Sequence, residues 1–243
     1  MTGFVRSKGF AVILLALAAI AIGFFTMQVT MWENYLLPQY PTATLNNISG
    51  LNFFTYFTVF TNTLCTIWML LYAIGKLTDS RLASFISRPE ILGALTVYIF
   101  VVGFLYWGVM IWFIDFYPKS LWMFNVIDVY QHFVLPATFT TMWLSGLNPR
   151  KVRIKKVAPF FLIYPLVYFI FSIVRGSFIG WYPYPFFNAQ NLWETLFGSA
   201  EMNFAIAYTL VVLICALLTG IIYGLGILAL TYNNKKAAKL YCG

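Results

Sequence analysis

Apolar residues run along this chain in long blocks broken by short polar tracts, with little of the alternation that marks half-buried strands. Six windows stand out, at about 10–28, 52–74, 91–113, 121–144, 159–175 and 203–231. At ~1.5 Å of rise per residue, each approaches or exceeds the length that crosses a hydrocarbon layer of ~30 Å. The pattern predicts an all-α polytopic membrane protein, a bundle of six transmembrane helices forming a single transmembrane domain over 1–243. Ser49-Gly50 precedes the second window and Pro89-Glu90 the third. "NPRKVRIKK" follows the fourth, and Pro159 opens the fifth. The first block has the basic flank and apolar run of a signal peptide. It is longer than a usual leader core and has no clear cleavage site, so it reads as a retained span.

Composition agrees, with 61% hydrophobic, 20% aromatic and 9% charged residues. A soluble domain of this size could not hide so much apolar surface. The formal charge of +8 does not point to nucleic acid, because thirteen of the fifteen Lys and Arg flank the windows on one side. Only Lys119 and Arg175 fall on the other. By the positive-inside rule both termini are cytoplasmic, and the loops 29–51, 114–120 and 176–202 face outward. The stretch "GWYPYPF" at 180–186 suits an aromatic belt or cap at the outer interface. Cys65, Cys215 and Cys242 lack metal-ligand or redox spacing.

Polar residues inside the windows carry the functional information. The fourth holds the chain's only histidine, His132, four residues after Asp128. Asn125, Asp128, His132 and Pro136 fall in one helical stripe, with Gln131 about a quarter-turn away. In the second window Asn52, Thr55, Thr58, Asn62 and Thr66 form another. Two such stripes should face each other or a shared cavity rather than lipid. Counting from the window starts, His132 lies roughly 16 Å deep, Asn62 roughly 15 Å, Thr58 roughly 9 Å and Thr55 roughly 5 Å.

A threonine hydroxyl becomes a nucleophile when a base takes its proton, histidine titrates in the right range, and a carboxylate can orient it. Arg175 offers a cation to a headgroup or a developing oxyanion. The plainer reading is that the threonines bond their own backbone and that Arg175 forms a salt bridge. One histidine with scattered carboxylates makes a poor zinc site, so neither metal nor another cofactor is expected.

"FFTYFTVFTN", "HFVLP" and "YPLVYFIFSIVRGSFIGWYPYPFFN" together resemble the bacterial six-proline integral membrane family, over roughly residues 52 to 190. That family is distantly similar to the animal androgen-induced and androgen-dependent membrane proteins, threonine hydrolases that cleave fatty acid esters of hydroxy fatty acids. The resemblance implies Thr55 as nucleophile, whereas depth favours Thr58. It places the family's histidine at Gln131, one residue before His132. The expected function is hydrolysis of a membrane lipid ester by Thr55, with His132 as base and Asp128 as its orienter. Thr58, Asn62, Asn125, Gln131 and Arg175 would contact the substrate. The alternatives are a non-catalytic lipid or solute binder or transporter using the same stripe, and a structural partner subunit.

Overall fold

The computed structural model describes residues 2–31, 52–110, 122–198 and 201–241. Among them every regular element is helical. A single turn, Thr2–Val5, precedes α1 (Lys8–Met31). There follow α2 (Phe57–Leu77), the short α3 (Arg81–Ile86) and α4 (Pro89–Leu105), which continues as a π-helix over Tyr106–Met110. Next come α5 (Trp122–Val129), a second π-helix over Tyr130–Val134, and α6 (Leu135–Ser145). The last elements are α7 (Phe160–Ile179), α8 (Ala189–Phe197) and α9 (Phe204–Tyr241). Five helices are long and apolar enough to cross a membrane: Lys8–Thr30, Phe57–Leu77, Pro89–Gly108, Ile154–Ile179 and Phe204–Lys239.

The core forms around α4. Just over half (56%) of its spanning window is buried, against 17% for α9. Glycines let its neighbours close in. A Cβ at Gly93 would stand 2.9 Å from the Trp143 ring, and one at Gly103 only 2.6 Å from the His132 carbonyl oxygen. Large apolar side chains cover the outer faces, among them Val212, Leu228 and Phe178, the last 85% exposed. Such surface suits lipid and would be costly in water.

Two interior prolines shape the bundle. A proline inside a helix has no N–H for the carbonyl four residues back. Pro136 so frees the carbonyl of His132, and Pro165 that of Phe161. Both acceptors are taken by donors from α4 and the π-helix that continues it. Trp107 Nε1 donates to His132 O at 3.1 Å, and the Tyr98 hydroxyl donates to Phe161 O at 3.1 Å. In lipid no water can serve in their place, so these bonds are what make the prolines tolerable.

Several boundaries differ from the sequence reading, and α1 itself runs to Met31, three residues into the expected loop 29–51. α2 begins at Phe57, and residues 54–56 form a turn held by Thr55 N–H to Asn52 O (3.0 Å) and Tyr56 N–H to Phe53 O (3.4 Å). Asn52 and Thr55 therefore precede the stripe that begins at Thr58. α7 continues to Ile179, where Gly180 ends it at φ +68°, so Arg175 lies one turn inside the helix. α9 runs ten residues beyond the expected 231. Its tail is held by Asn233 to Arg150 O (2.6 Å), Tyr232 to Leu144 O (3.0 Å) and Asn234 paired with both main-chain groups of Val152. The expected loop 176–202 contains α8, capped by Asn188 accepting from Gln190 N–H (3.0 Å) and Asn191 N–H (3.3 Å). Of the other two expected outer loops, residues 32–51 and 114–120 lie outside the described residues.

Candidate functional site

His132 sits in the second π-helix, packed against the first. Its ring stacks on Tyr106 with centroids 3.7 Å apart and planes 13° from parallel. The Tyr106 hydroxyl donates to Asp128 Oδ2 at 3.0 Å. His132 Nδ1 lies 3.0 Å from the main-chain carbonyl of Asp128, and 3.9 Å from its carboxylate Oδ1. A carbonyl can only accept, so Nδ1 carries the proton and donates to it. The neutral ring is then the Nδ1–H tautomer, and Nε2 holds the free lone pair. The group that orients the ring is thus the Asp128 main chain, while the carboxylate expected in that role is turned to Tyr106. His132 and Asp128 are both buried. π-Helical turns are rare and occur often at functional sites. Here two of them face each other at the one histidine.

Gln131, beside His132, points to another helix. Its amide and that of Gln28 in α1 exchange hydrogen bonds in both directions, at 2.6 and 3.3 Å, with both residues buried. The Tyr130 hydroxyl adds a bond to Leu17 O. Gln131 therefore joins α1 to the His132 segment. Asn125 lies on the exposed surface. Three residues fall 60° short of a full turn, which carries it off the Asp128 face.

The threonines of the second span, with Thr61 beside the expected stripe, meet a set of tyrosines. The Thr61 hydroxyl is 2.9 Å from Tyr164 OH, and that of Thr58 is 3.5 Å from Tyr184 OH. Tyr184 stands outside the spanning helices, where burial raises its phenol above the ordinary range and keeps it neutral. Thr55 donates to Asn52 O at 2.6 Å, and its own carbonyl accepts from Tyr168 OH at 2.9 Å. Arg175 donates through Nη2 to Asn52 Oδ1 and stacks its guanidinium 5.5 Å from the Trp181 ring centroid. Its Nη1 is buried with no partner among the described residues. Its contacts among the described residues are an amide and an indole, and Asp115, one carboxylate a salt bridge could use, lies outside them.

Asn62 connects the two groups in depth. Trp68 in α2 packs edge-on against Phe139 in α6, with ring centroids 5.3 Å apart. Six residues back from Trp68 is Asn62, and seven back from Phe139 is His132, so both lie roughly 9–10 Å from that contact. By the same count Thr58 stands ~5 Å, and Thr55 ~9 Å, beyond the level of His132. Asn62 is fully buried; its Nδ2 donates to Thr58 O at 2.8 Å, and its Oδ1 has no partner among the described residues. No hydrogen bond joins a threonine of α2 to His132 among the described residues.

Thr61, Tyr106, Trp107, Tyr164, Tyr168, Tyr184 and Gln28 are the site residues that sequence reasoning missed. The aromatic ones look like ordinary span or belt residues in a chain this rich in rings. No protein-family model matches this sequence, and no match is found among curated proteins or solved structures.

Proposed function

We propose that this chain is a membrane-embedded hydrolase of lipid esters, with six spans, both termini cytoplasmic, and a polar site reached from the bilayer. The supporting observation is the 3.0 Å contact of His132 Nδ1 with the Asp128 carbonyl, which assigns the ring proton to Nδ1 and leaves the Nε2 lone pair available in a buried site. In the reaction a threonine Oγ of the second span attacks the ester carbonyl carbon as His132 Nε2 takes its proton. The alkoxide leaves with that proton, and an acyl-threonine remains. Water then attacks the acyl-threonine, again giving its proton to Nε2. The acid departs and the proton returns to threonine. Asn62, with its open Oδ1, and Arg175, with its open Nη1, would hold polar parts of the lipid.

Resemblance favours Thr55 as the nucleophile, and its level favours Thr58. A fluorophosphonate probe on the purified protein separates them. Thr55→Ala should abolish labelling, and His132→Ala should slow it by ~10²–10⁴-fold. Loss in Thr58→Ala alone keeps the mechanism and moves the nucleophile. Full labelling in both threonine variants, with no lipid ester turned over, ends the enzyme reading.

A second reading is non-catalytic lipid binding at the same site. It is favoured by the threonine hydroxyls, which are engaged by Asn52, Tyr164 and Tyr184 rather than by His132.

A further inference from the structure

At the basic end of the bundle a cleft of about 630 Å³ opens between the end of α2, the short α3, the N-terminal turn and the segment after α6. This is far from the threonines and His132, and it lies in the size range of small-molecule sites. Beside Asp79, its polar lining is Arg6, Lys76, Ser80, Ser84, Ser87 and Asn148, with Tyr72, Ala83 and Leu147 among the remaining lining residues.

The Ser80 hydroxyl donates to Gly75 O at 3.5 Å and closes its own turn. Arg6 is anchored, donating from Nη2 to Gly146 O at 2.7 Å and from Nε to Leu147 O at 3.1 Å. It closes the C-terminal end of α6 and holds its charge at the cleft wall. Asn148 donates to Ser87 Oγ at 3.1 Å and to Ser84 O at 3.2 Å. The Ser87 hydroxyl, buried and accepting from Asn148, still has its own proton to give. Lys76 forms no ion pair among the described residues. Asp79 is the one carboxylate in the lining, and its Oδ2 is already held by Lys8 Nζ at 2.6 Å. Asp79 occupies the left-handed region at φ +54°, in a turn that carries the chain from α2 into α3. Gly75 makes this turn tight, since a Cβ there would stand 2.6 Å from Ala83 N.

The cleft therefore holds two cations and the hydroxyls of Ser84 and Ser87 around a space whose only acid is neutralised from outside. We propose that it is a binding site for a phosphate-bearing anion. A phosphomonoester has enough acceptor oxygens for donors on several sides, whereas a carboxylate would leave part of the lining unused. The anchored guanidinium gives direction, and the lysine gives a point charge. The site is independent of the hydrolase reading.

The full chain, purified in detergent, is titrated with short-chain phosphatidic acid, phosphatidylcholine of the same chain length, and inorganic phosphate, following the thermal unfolding midpoint. Phosphatidic acid should raise the midpoint saturably, and phosphatidylcholine should not. Lys76→Gln should weaken the response about fivefold, the share of one basic residue facing an anionic surface. Asp79→Asn should strengthen it, because it removes the acid, frees Lys8 and keeps a residue that tolerates the left-handed turn. Ser84→Ala, on an exposed position, gives a second loss variant without disturbing the core. A response to inorganic phosphate with the same charge dependence also supports the site and makes the ligand soluble. The proposal is overturned by no response to either phosphate, by an equal response to phosphatidylcholine, or by a Lys76→Gln protein that still responds to phosphatidic acid as the parent does.

Discussion

Trp107 donates its indole N–H to the main-chain carbonyl of His132, the acceptor that Pro136 leaves open. The bond ties the position of the histidine to a residue on a different helix. Trp107→Phe keeps most of the ring and removes the donor. A buried acceptor left unpaired costs ~1–3 kcal/mol, so the thermal midpoint should fall. In a Pro136→Ala background the helix can supply its own N–H, and the same change should cost much less. A double-mutant cycle reads the difference. Equal costs in both backgrounds would show that the indole acts only through packing.

Tyr98→Phe removes the matching donor from Phe161 O. It should destabilise by a similar ~1–3 kcal/mol. Because Phe161 lies away from His132, probe labelling of the folded fraction should be unchanged. Loss of labelling with stability intact would contradict this division of roles.

Gly103 and Gly108 form an internal control. A Cβ at Gly103 would stand 2.6 Å from His132 O and 3.0 Å from the Pro136 ring, whereas at Gly108 nothing lies within 4 Å. Gly103→Ala should cost ~1–3 kcal/mol through forced separation of the two segments, and Gly108→Ala almost nothing. Unfolding midpoints in detergent would decide it.

Gln28 and Gln131 satisfy each other across two helices. Interhelical polar bonds in membranes average ~0.6 kcal/mol and reach ~1.7 kcal/mol. Each single change to leucine should destabilise, and the double change should cost less than the sum. Strict additivity would mean that the amides find other partners.

Asn62 has a buried Oδ1 with no partner among the described residues. Asn62→Leu removes an open acceptor whose burial costs ~1–3 kcal/mol, so the ligand-free midpoint should rise. The rise in midpoint on adding a lipid ester should shrink in the same variant. A lower ligand-free midpoint together with an unchanged lipid response would remove Asn62 from the site.

Much of the helical frame was legible because membrane spans are long, apolar and punctuated. The Asp128–His132 pair was legible too, since ionisable residues stand out against such a background. The start of α2 was not, because "NFFTYF" is as apolar as the helix it precedes. Only the bonds from Thr55 and Tyr56 to Asn52 and Phe53 reveal the turn. Neither π-helix has a signature in the chain, because one extra residue per turn changes no periodicity that a wholly apolar run displays. The partners of His132 were hidden for a different reason. Tyr106 and Trp107 look like interface aromatics, and what distinguishes them is which carbonyl and carboxylate they meet. The length of α9 followed from contacts of Asn233 and Asn234 with a distant loop, which no local reading of "TYNNKK" contains.

The two donors that answer the two prolines stand nine residues apart, Tyr98 in α4 and Trp107 just beyond it. That separation is roughly 13 Å along the axis. The segment thus works as a ruler. The heights of the two freed carbonyls are marked off on one scale, and the vertical offset between His132 and the Tyr164 hydroxyl cluster is fixed by its graduations. One residue inserted between the two marks would shift them by ~1.5 Å and turn one of them ~100° away. The spacing of the polar groups is therefore carried by a helix that contributes few of them.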